Sequence, residues 1–263
     1  MSVLSIVIVS FNAGADLQSC LLSLKKAPPA GDHEIIVVDN ESTDGSAAAA
    51  ERIPGVRVIR MGRNAGFAAA NNAGIRQSRG DLLLLLNSDT LVPPGAVDRL
   101  VGRLLATEAA AIAGPRLVDA SGEPELSFGR MISPLNELRQ KRRTKAWIAA
   151  ETQREQFVDW VSGACLLVRR AEAEAAGLLD ERYFMYAEDV DFCAAIRARG
   201  GRIAFTPEAT IVHLRGRSAA SARSDTDAAY QRSHLAFYEK HHPRWAPILR
   251  WYLRLRGFSA SRR

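Results

Sequence analysis

The stretch "LLLLLNSDT" (residues 82–90) joins five consecutive leucines to a polar end that contains Asn87, Ser88 and Asp89. So apolar a run suits a strand covered on both faces, and its short length and its context favour a strand over the helix that leucine propensity alone would predict. In open α/β sheets, ligands bind beyond the carboxyl ends of the strands. The stretch therefore predicts a buried strand that carries a carboxylate, that of Asp89, to the edge of a sheet.

The rest of the first half alternates between two kinds of pattern. Continuously apolar, β-branched runs predict strands at 4–11, 34–39 and 56–61, and helices are expected at about 15–27, 43–53, 66–79 and 93–107. Strands that alternate with helices are typical of βαβ units. The fold class is therefore predicted to be α/β, Rossmann-like, with a doubly wound and mostly parallel sheet.

The second half is less regular. Residues 117–157 are polar and include the basic stretch "RQKRRTK" (139–145), so we expect loops there. The later segments predict a strand at 160–170, a helix at 187–201, a short strand at 209–218 that runs into a basic loop, and two helices at about 224–241 and 244–257.

The positive charge belongs to one end of the chain. The 263 residues carry a net charge of +6, from 35 basic and 29 acidic residues. No acidic residue follows Glu239, whereas six arginines lie from Arg244 onward, and without them the two signs are equal at 29 each. This distribution argues against a nucleic-acid-binding protein, which would spread basic residues over a whole face.

Cysteine usage and the first residues indicate a compartment. Cys20, Cys165 and Cys193 are odd in number and have no metal-like spacing, which is typical of a reducing environment. The opening residues lack a basic n-region, and their apolar run is shorter than a signal sequence or a membrane span requires. We expect a cytoplasmic protein that is either free or peripherally attached to the inner face of the cell membrane through its C-terminal tail.

Polar residues follow four of the predicted strands. The first strand leads to Ser10 and Asn12, the second to Asp39 and Asn40, the third to "GRNAGFAAANNAG" (62–74), and the fourth to the end of the leucine stretch. Any one of these residues could simply end a strand or cap a helix. Their recurrence at four strand ends favours a polar binding crevice above an apolar sheet.

Seven motifs occur in a fixed order: "SIVIVSFN", "VVDNESTDGS", "NAGFAAANNAGI", "LLLLNSDT", "WVSGACLLVRR", "FMYAEDVDFCAAIRARG" and "VHLRGRS". In these motifs the chain resembles the inverting nucleotide-sugar glycosyltransferases of family 2, which have the GT-A fold, and most of all the bacterial rhamnosyltransferases. The resemblance covers about residues 3–241. It implies a catalytic domain at 1–220, with a nucleotide-binding half at 1–116 and an acceptor half at 158–220, followed by a helical, basic extension at 221–263.

The resemblance also implies roles for residues of the first half. Ser10, Asn12 and Asp39 would hold the nucleoside, and Asn64, Gly66 and Asn71 would line the same pocket. Asp89 takes the place of the last carboxylate of the family's Asp-x-Asp motif, where it binds a divalent cation, Mg²⁺ or Mn²⁺, that bridges the donor's phosphates. Asn87 replaces the first carboxylate of that motif, and because an amide adds no charge, the strictness of the metal dependence stays open.

Two more implied roles lie near the end of the resemblance. His213 of "VHLRGRS" would be a second protein ligand of the cation, although a single histidine after a strand is more often structural. Arg217, together with Arg215, could clamp phosphates as part of a closing loop.

Inverting transfer needs a carboxylate to take the proton of the attacking hydroxyl. In "MYAEDVD" (185–191) the resemblance assigns this role to Asp189 and places Glu188 beside the substrate. The alternative is that acidic residues at a helix start merely complement the helix dipole. Trp160 and Gly163 are expected to face the bound sugar, whereas the alternative for their segment is an ordinary core strand.

The tail "RWAPILRWYLRLRGF" (244–258) predicts an amphipathic helix. Its apolar side would carry Trp245, Ile248, Leu249, Tyr252 and Leu255, with Arg250 and Arg254 opposite. Such a helix suits an anionic membrane surface. The alternative is a helix packed on the domain with its arginines in solvent.

These observations predict transfer of a sugar, with rhamnose from dTDP-rhamnose favoured, to a hydroxyl of a cell-envelope glycan or a lipid-linked saccharide. A UDP-sugar transferase of the same fold, a nucleotidyltransferase and a non-catalytic nucleotide-sugar binder are the alternatives. A dehydrogenase is disfavoured because no G-x-G-x-x-G follows the first strand, and the chain has no P-loop motif.

Overall fold

A computed structural model of the chain describes residues 3–140, 143–214 and 223–255. The elements follow in this order: β1 Leu4–Ser10, α1 Gly14–Lys26, β2 His33–Asp39, α2 Ser46–Glu51, β3 Val56–Arg60, α3 Phe67–Gln77, β4 Leu82–Asn87, β5 Thr90–Leu91, α4 Ala96–Ala106, β6 Ala110–Val118, β7 Phe128–Gly129, α5 Pro134–Gln140, α6 Lys145–Glu151, β8 Gln156–Val158, β9 Trp160–Val161, β10 Cys165–Arg169, α7 Arg170–Ala175, α8 Glu188–Ala198, β11 Arg202–His213, α9 Arg223–His241 and α10 Ala246–Leu255.

Within the described residues, a nine-stranded sheet forms the centre of the fold. Its strand order is β3-β2-β1-β4-β10-β6-β11-β5, and β8 pairs with β11 outside this path. The strands β1 to β4 are parallel to one another, and β6 and β11 are parallel to each other, whereas β10 runs antiparallel between β4 and β6. This arrangement confirms the α/β class and the mostly parallel sheet predicted from the sequence.

The leucine run of β4 is buried on both faces of the sheet. Leu82, Leu84 and Leu86 pack into a cluster that includes side chains of α1 and α4. Leu83 and Leu85 point the other way, into a cluster that includes side chains of α3 and α8. Burial of each leucine contributes roughly 1.5–3 kcal/mol, so β4 is firmly fixed between the two layers. Asn87 to Asp89 follow from that fixed strand.

The two C-terminal helices pack on the region around α8 through a third, smaller cluster. Phe237 and Tyr238 of α9 and Ala246 of α10 are buried there against Tyr183 and Val190. The hydroxyl of Ser233 also donates to the Met185 carbonyl at 2.7 Å. The helix α9 therefore contacts the segment that leads into α8.

Several expectations for the second half were wrong. Residues 117–157 are not loops throughout, because β6 extends to Val118 and the segment also holds β7, α5, α6 and β8. The strand expected at 160–170 is two strands, β9 and β10, separated by a turn at 162–164. The strand expected from 209 begins at Arg202, and the part of it beyond 214 lies outside the described residues.

The tail helix α10 lies where it was predicted, but a different side of the helix faces the body of the protein. Leu249 is half-buried and packs toward the body of the protein, whereas Trp251 is 64% exposed and belongs to the outer face. None of the helices in the described ranges is both long and apolar enough to cross a membrane.

Candidate active site

One edge of the sheet gathers most of the predicted site residues. The strands β1, β2 and β4 end there at Ser10, Asp39 and Asn87. The antiparallel β10 starts at the same edge, since Cys165 pairs with Leu86 and the Asn87 amide donates to the Ala164 carbonyl at 2.9 Å. The carboxyl ends of parallel strands and the start of one antiparallel strand thus border one crevice.

Short turns hold the polar groups on the donor side of the crevice. The Ser42 amide donates to Asp39 Oδ1 at 3.1 Å, and the Thr43 amide donates to Asn12 Oδ1 at 2.8 Å. Asn12 has a left-handed backbone with φ of 49°, which asparagine tolerates better than most residues. The loops after β1 and β2 are therefore joined to each other before any ligand binds.

Asn40 links this pair of loops to the start of α3. Its Nδ2 donates to Asn64 Oδ1 at 2.8 Å, and its Oδ1 accepts from the Ala65 amide at 2.9 Å. Gly66 follows with φ of 89°, and a Cβ atom at this position would lie 2.6 Å from the Phe184 carbonyl oxygen. Glycine is thus required here for both the backbone conformation and the close approach of the acceptor-side loop.

Two side chains at the ends of β1 and β4 have buried polar atoms without a partner among the described residues. They are the hydroxyl of Ser10 and the amide oxygen of Asn87. A buried polar atom without a hydrogen bond is costly, and one at a site is explained by a ligand or an ion that it binds. Asn71 differs, because its buried amide donates to the Phe67 carbonyl within α3 at 3.0 Å.

Pairing between β5 and β11 brings Asp89 to His213. His213 is opposite Thr90, and the Leu214 amide donates to the Asp89 carbonyl at 2.8 Å. His213 Nε2 lies 3.3 Å from Asp89 Oδ1, and its Nδ1 lies 3.1 Å from Glu125 Oε2. Burial by itself would lower the pKa of His213, but the hydrogen bonds and charges of the two carboxylates outweigh it and raise the pKa to about 9.

The donor set here suits two protein ligands of a divalent cation. A carboxylate and an imidazole face each other, and the unpartnered Asn87 oxygen belongs to the same strand end. Within the described ranges, no group of three or more histidine, cysteine or acidic side chains is arranged to hold a metal by itself. Mg²⁺ and Mn²⁺ often take only one or two protein ligands and complete their shells with water and phosphate oxygens, so Asp89 and His213 fit that role.

Asp189, in the first turn of α8, lies at the same edge of the sheet. Its Oδ2 accepts from the Gly163 amide at 2.8 Å, and its Oδ1 accepts from the Val190 amide at 2.8 Å. A Cβ atom at Gly163 would lie 3.2 Å from the Asp189 Cβ, so glycine allows this approach. Gly163 is next to Ala164, whose carbonyl binds the Asn87 amide. The structure therefore brings Asp189 and the end of β4 to one crevice.

Burial changes the acidity of the carboxylates at the start of α8. It raises the pKa of Asp189 above the usual range, although the bonds from Gly163 and Val190 act in the opposite direction. The pKa of Glu188 is raised further, first by burial and then by the charge of Asp189. Glu188 is only 6% exposed, and its Oε2 has no hydrogen-bond partner within the described residues.

Asp191 is a structural residue that the sequence did not single out. Its buried carboxylate accepts from Lys240 at 2.8 Å, His241 at 2.6 Å and the Tyr183 hydroxyl at 3.2 Å. These bonds fasten α9 to α8, two residues beyond Asp189. Asn40 was named among the polar residues that follow the second strand, whereas the contribution of Glu125 and the contacts of Asp191 with α9 were missed.

The remaining predicted residues divide into two cases. Trp160 lies on β9 against Gly129, and its indole nitrogen donates to the Arg130 carbonyl at 2.9 Å. Its indole N–H therefore has a partner within the protein, and its role beside a sugar stays a prediction. Arg217 and Arg215 lie outside the described residues.

Comparison with known proteins identifies the family. Residues 5–159 match Glycosyl transferase family 2. The chain is 32% identical over 278 aligned positions to N-acetylglucosaminyl-diphospho-decaprenol L-rhamnosyltransferase of Mycobacterium tuberculosis. The alignment covers 96% of this chain and 89% of that relative.

Solved structures show the same fold at lower identity. Mannosyltransferase PcManGT from Pyrobaculum calidifontis, in complex with GDP-Man and Mn²⁺, has a TM-score of 0.64 and 20% identity, over 94% of this chain and 68% of that one. S. aureus TarS 1-349 in complex with UDP-GlcNAc has a TM-score of 0.61 and 18% identity, over 84% of this chain and 61% of that one.

The sheet and these neighbours show the GT-A fold, and with the family match they define the class as a glycosyltransferase of that fold. The chain belongs to glycosyl transferase family 2, as the match over more than half of its length shows. It is accordingly a nucleotide-sugar-dependent enzyme.

Proposed function

We propose that the protein transfers L-rhamnose from dTDP-rhamnose to a hydroxyl of a sugar carried on a lipid diphosphate, with inversion at the anomeric carbon. The observation that carries the proposal is the placement of Asp189 and of the Asp89–His213 pair at one edge of the sheet. The choice of sugar and acceptor is supported by the mycobacterial relative, which is a rhamnosyltransferase of a lipid-linked N-acetylglucosamine.

On the donor side, Ser10, Asn12 and Asp39 bind the nucleoside, and the joined loops after β1 and β2 fix their positions. Asn64 and Gly66 position the start of α3 beside them. Asp89 and His213 are the residues that would hold a divalent cation, Mg²⁺ or Mn²⁺, and such a cation would offset the negative charge that develops on the departing diphosphate.

On the acceptor side, Asp189 accepts the proton of the attacking hydroxyl. The Gly163 amide orients one carboxylate oxygen, and the raised pKa makes the group a better base than an ordinary aspartate. Because base and leaving group lie on different elements around one crevice, the hydroxyl can attack from the face opposite the diphosphate. That direction of attack gives inversion.

The direct test is a transfer assay with a lipid-linked N-acetylglucosamine acceptor and a panel of dTDP-rhamnose, UDP-sugars and GDP-mannose. We expect a product with dTDP-rhamnose alone, with the anomeric configuration opposite to that of the donor by NMR, and a loss of activity in EDTA that Mn²⁺ restores. A product with a UDP-sugar would identify the alternative donor. Binding of donors without any transfer would identify a non-catalytic binder and contradict the proposal.

The outer face of α10 is proposed to contact an anionic membrane that holds the acceptor. Ile248, Trp251, Tyr252 and Leu255 are between 47% and 67% exposed along one side of this helix. The same helix carries Arg250 and Arg254, whose positive charge suits the negative charge of phospholipid headgroups.

A vesicle assay tests this contact. We expect the double variant Ile248→Ser and Trp251→Ser to lose sedimentation with phosphatidylglycerol vesicles and to keep its melting temperature. Leu22→Ser is the matched control, because Leu22 is 47% exposed on the distant helix α1. Equal sedimentation of the double variant and the wild type would discard the contact.

A further inference from the structure

A second cavity lies outside the site described above. It has a volume of about 490 Å³ and lies between α5, the segment before α6, and the start of β9. Its lining is polar throughout and consists of Arg130, Asn136, Arg139, Gln140, Arg143 and Asp159. None of the residues proposed to bind the donor lines it.

The single acidic group of the lining is already neutralised. Asp159 Oδ1 lies 2.9 Å from Nη2 of Arg197 on α8, and its Oδ2 accepts from the Met131 amide at 2.8 Å. Asp159 therefore faces a cation outside the cavity and does not balance the arginines inside it.

The three arginines of the lining are left with an excess of positive charge. Arg143 Nη1 is buried and has no hydrogen-bond acceptor among the described residues. Burial lowers the pKa of Arg143, the negative charge of Glu151 opposes this effect, and the positive charge of Arg130 adds to it. A buried guanidinium nitrogen without an acceptor is costly unless an anion binds there.

The chemistry of the lining selects a phosphate or diphosphate. Guanidinium groups bind phosphate oxygens through paired, charge-assisted hydrogen bonds. Arg139 and Gln140 are exposed at the rim, so the cavity is accessible from solvent.

The position of the cavity relates it to the acceptor. Asp159 is linked through Arg197 to one end of α8, and Asp189 lies at the other end, roughly 12 Å away for eight residues of helix. Trp160 follows Asp159, and its indole binds the Arg130 carbonyl. The cavity is therefore built on the elements that form the acceptor side of the crevice.

We propose that this cavity, through Arg130, Arg139 and Arg143, binds the diphosphate of the lipid-linked acceptor. The inference rests on the proposed function, because it assumes that the acceptor carries such a group. The arginines would select acceptors by charge, while Asp189 acts on the sugar hydroxyl. They are binding residues and take no part in the proton transfer.

The test compares two acceptors that differ only in the diphosphate. One is N-acetylglucosamine linked through a diphosphate to a short prenyl chain, and the other is the uncharged alkyl glycoside of the same sugar. We expect Arg143→Gln and Arg139→Gln each to raise the KM for the charged acceptor about tenfold and to leave the KM values for the uncharged acceptor and the donor unchanged.

Arg154→Gln is the matched control, since Arg154 is 73% exposed, pairs with Glu151 and does not line the cavity. Its KM values should equal those of the wild type. Melting temperatures identify any variant that fails to fold, and two separate arginine variants keep the test informative. Equal effects on both acceptors, or no effect on either, would overturn the proposal.

Two further measurements complete the test. The first distinguishes the diphosphate of the acceptor from a lipid headgroup as the ligand, and the second distinguishes failure of the cavity proposal from failure of the proposed function. If the KM effect appears only in anionic vesicles and disappears in neutral detergent, a lipid headgroup is the ligand and the proposal is wrong. If the wild type transfers no sugar at all, the proposed function has failed, and calorimetry with inorganic pyrophosphate then decides the cavity separately. Pyrophosphate binding that is lost in Arg143→Gln supports the site, and binding that the variant retains, or its absence in the wild type, refutes it.

Discussion

Asp39 and Asp189 border the same crevice, but their carboxylates are held in opposite ways. Asp39 accepts from Ser42, three residues later in its own turn. Asp189 accepts from Gly163, 26 residues earlier on a different element, and burial raises its pKa. Asp39 is thus held within one local turn, whereas Asp189 is held by a contact between separate elements, where loss of solvation makes its carboxylate more basic.

The largest effect should come from removing the base on the acceptor side. We expect Asp189→Asn to lower kcat about 10²- to 10⁴-fold, because the amide cannot accept the hydroxyl proton, while the Kd for the donor stays unchanged. Steady-state kinetics and calorimetry measure the two quantities. Asp98→Asn, at an exposed position on α4, is the control and should behave as the wild type. Near-normal turnover of Asp189→Asn would show that Asp189 is not the base. The acceptor side would then not differ from the donor side by a more basic carboxylate.

The tertiary support of the acceptor side can be broken at Asp191. We expect Asp191→Asn to lower the free energy of unfolding by about 3 kcal/mol, since the buried carboxylate, 2% exposed, holds Lys240 and His241. Urea unfolding measures the change. Arg250→Gln is the control, because its ion pair with Glu239, which joins α10 to α9, is exposed and should contribute less than about 1 kcal/mol. Similar losses in both variants would show that burial does not set the strength of these contacts.

Gly66 is where the two sides meet. We expect Gly66→Ala to cost about 2–3 kcal/mol and to raise the KM for the donor, because the new methyl group would meet the Phe184 carbonyl and φ is positive. Gly62→Ala shares the positive φ, at 68°, but has open space around the new methyl group, so it should cost only about 1 kcal/mol. Equal losses of unfolding free energy in the two variants, measured with urea, would mean that Gly66 and the Phe184 carbonyl are not in tight contact.

The same contrast explains which parts of the fold were predictable. The strands β1, β2 and β4 are continuous apolar runs that end in polar turns, and they were predicted to within a residue or two. The strand β6, "AAIAGPRLV", was missed because alanine, glycine and proline are poor strand formers. The first part of β11 was missed too, since its pairing with β6 is interrupted between Thr206 and Thr210, around Pro207. These strands are set by their neighbours in the sheet.

The site shows the same division. Resemblance in short motifs located Asp89, His213 and Asp189, which the structure brings to one edge, although their roles stay predictions. Glu125 could not be found in this way, because it comes from a polar segment far from His213 in the sequence. The contacts of Asp191 with α9 were equally hidden, since no local pattern pairs an acidic residue with a lysine and a histidine 49 and 50 positions later.

The last expected effect is the pH dependence that arises from Glu188 on the acceptor side. Burial, and then the charge of Asp189, raise the pKa of Glu188, so the folded state keeps a proton that the unfolded state has lost above its pKa of about 4.3. The stability contributed by this proton is full below that value and is lost as the pH rises toward the folded pKa, by about 1.4 kcal/mol per pH unit.

Glu188→Gln imitates the protonated form of Glu188 and cannot lose the proton. We therefore expect the variant to gain stability relative to the wild type as the pH is raised from 5 upward, measured by urea unfolding at several pH values. A constant difference in the free energy of unfolding between the two proteins across that range would show that Glu188 is not buried as a neutral acid. The raised pKa of Asp189, the neighbouring base, would then need another explanation than burial.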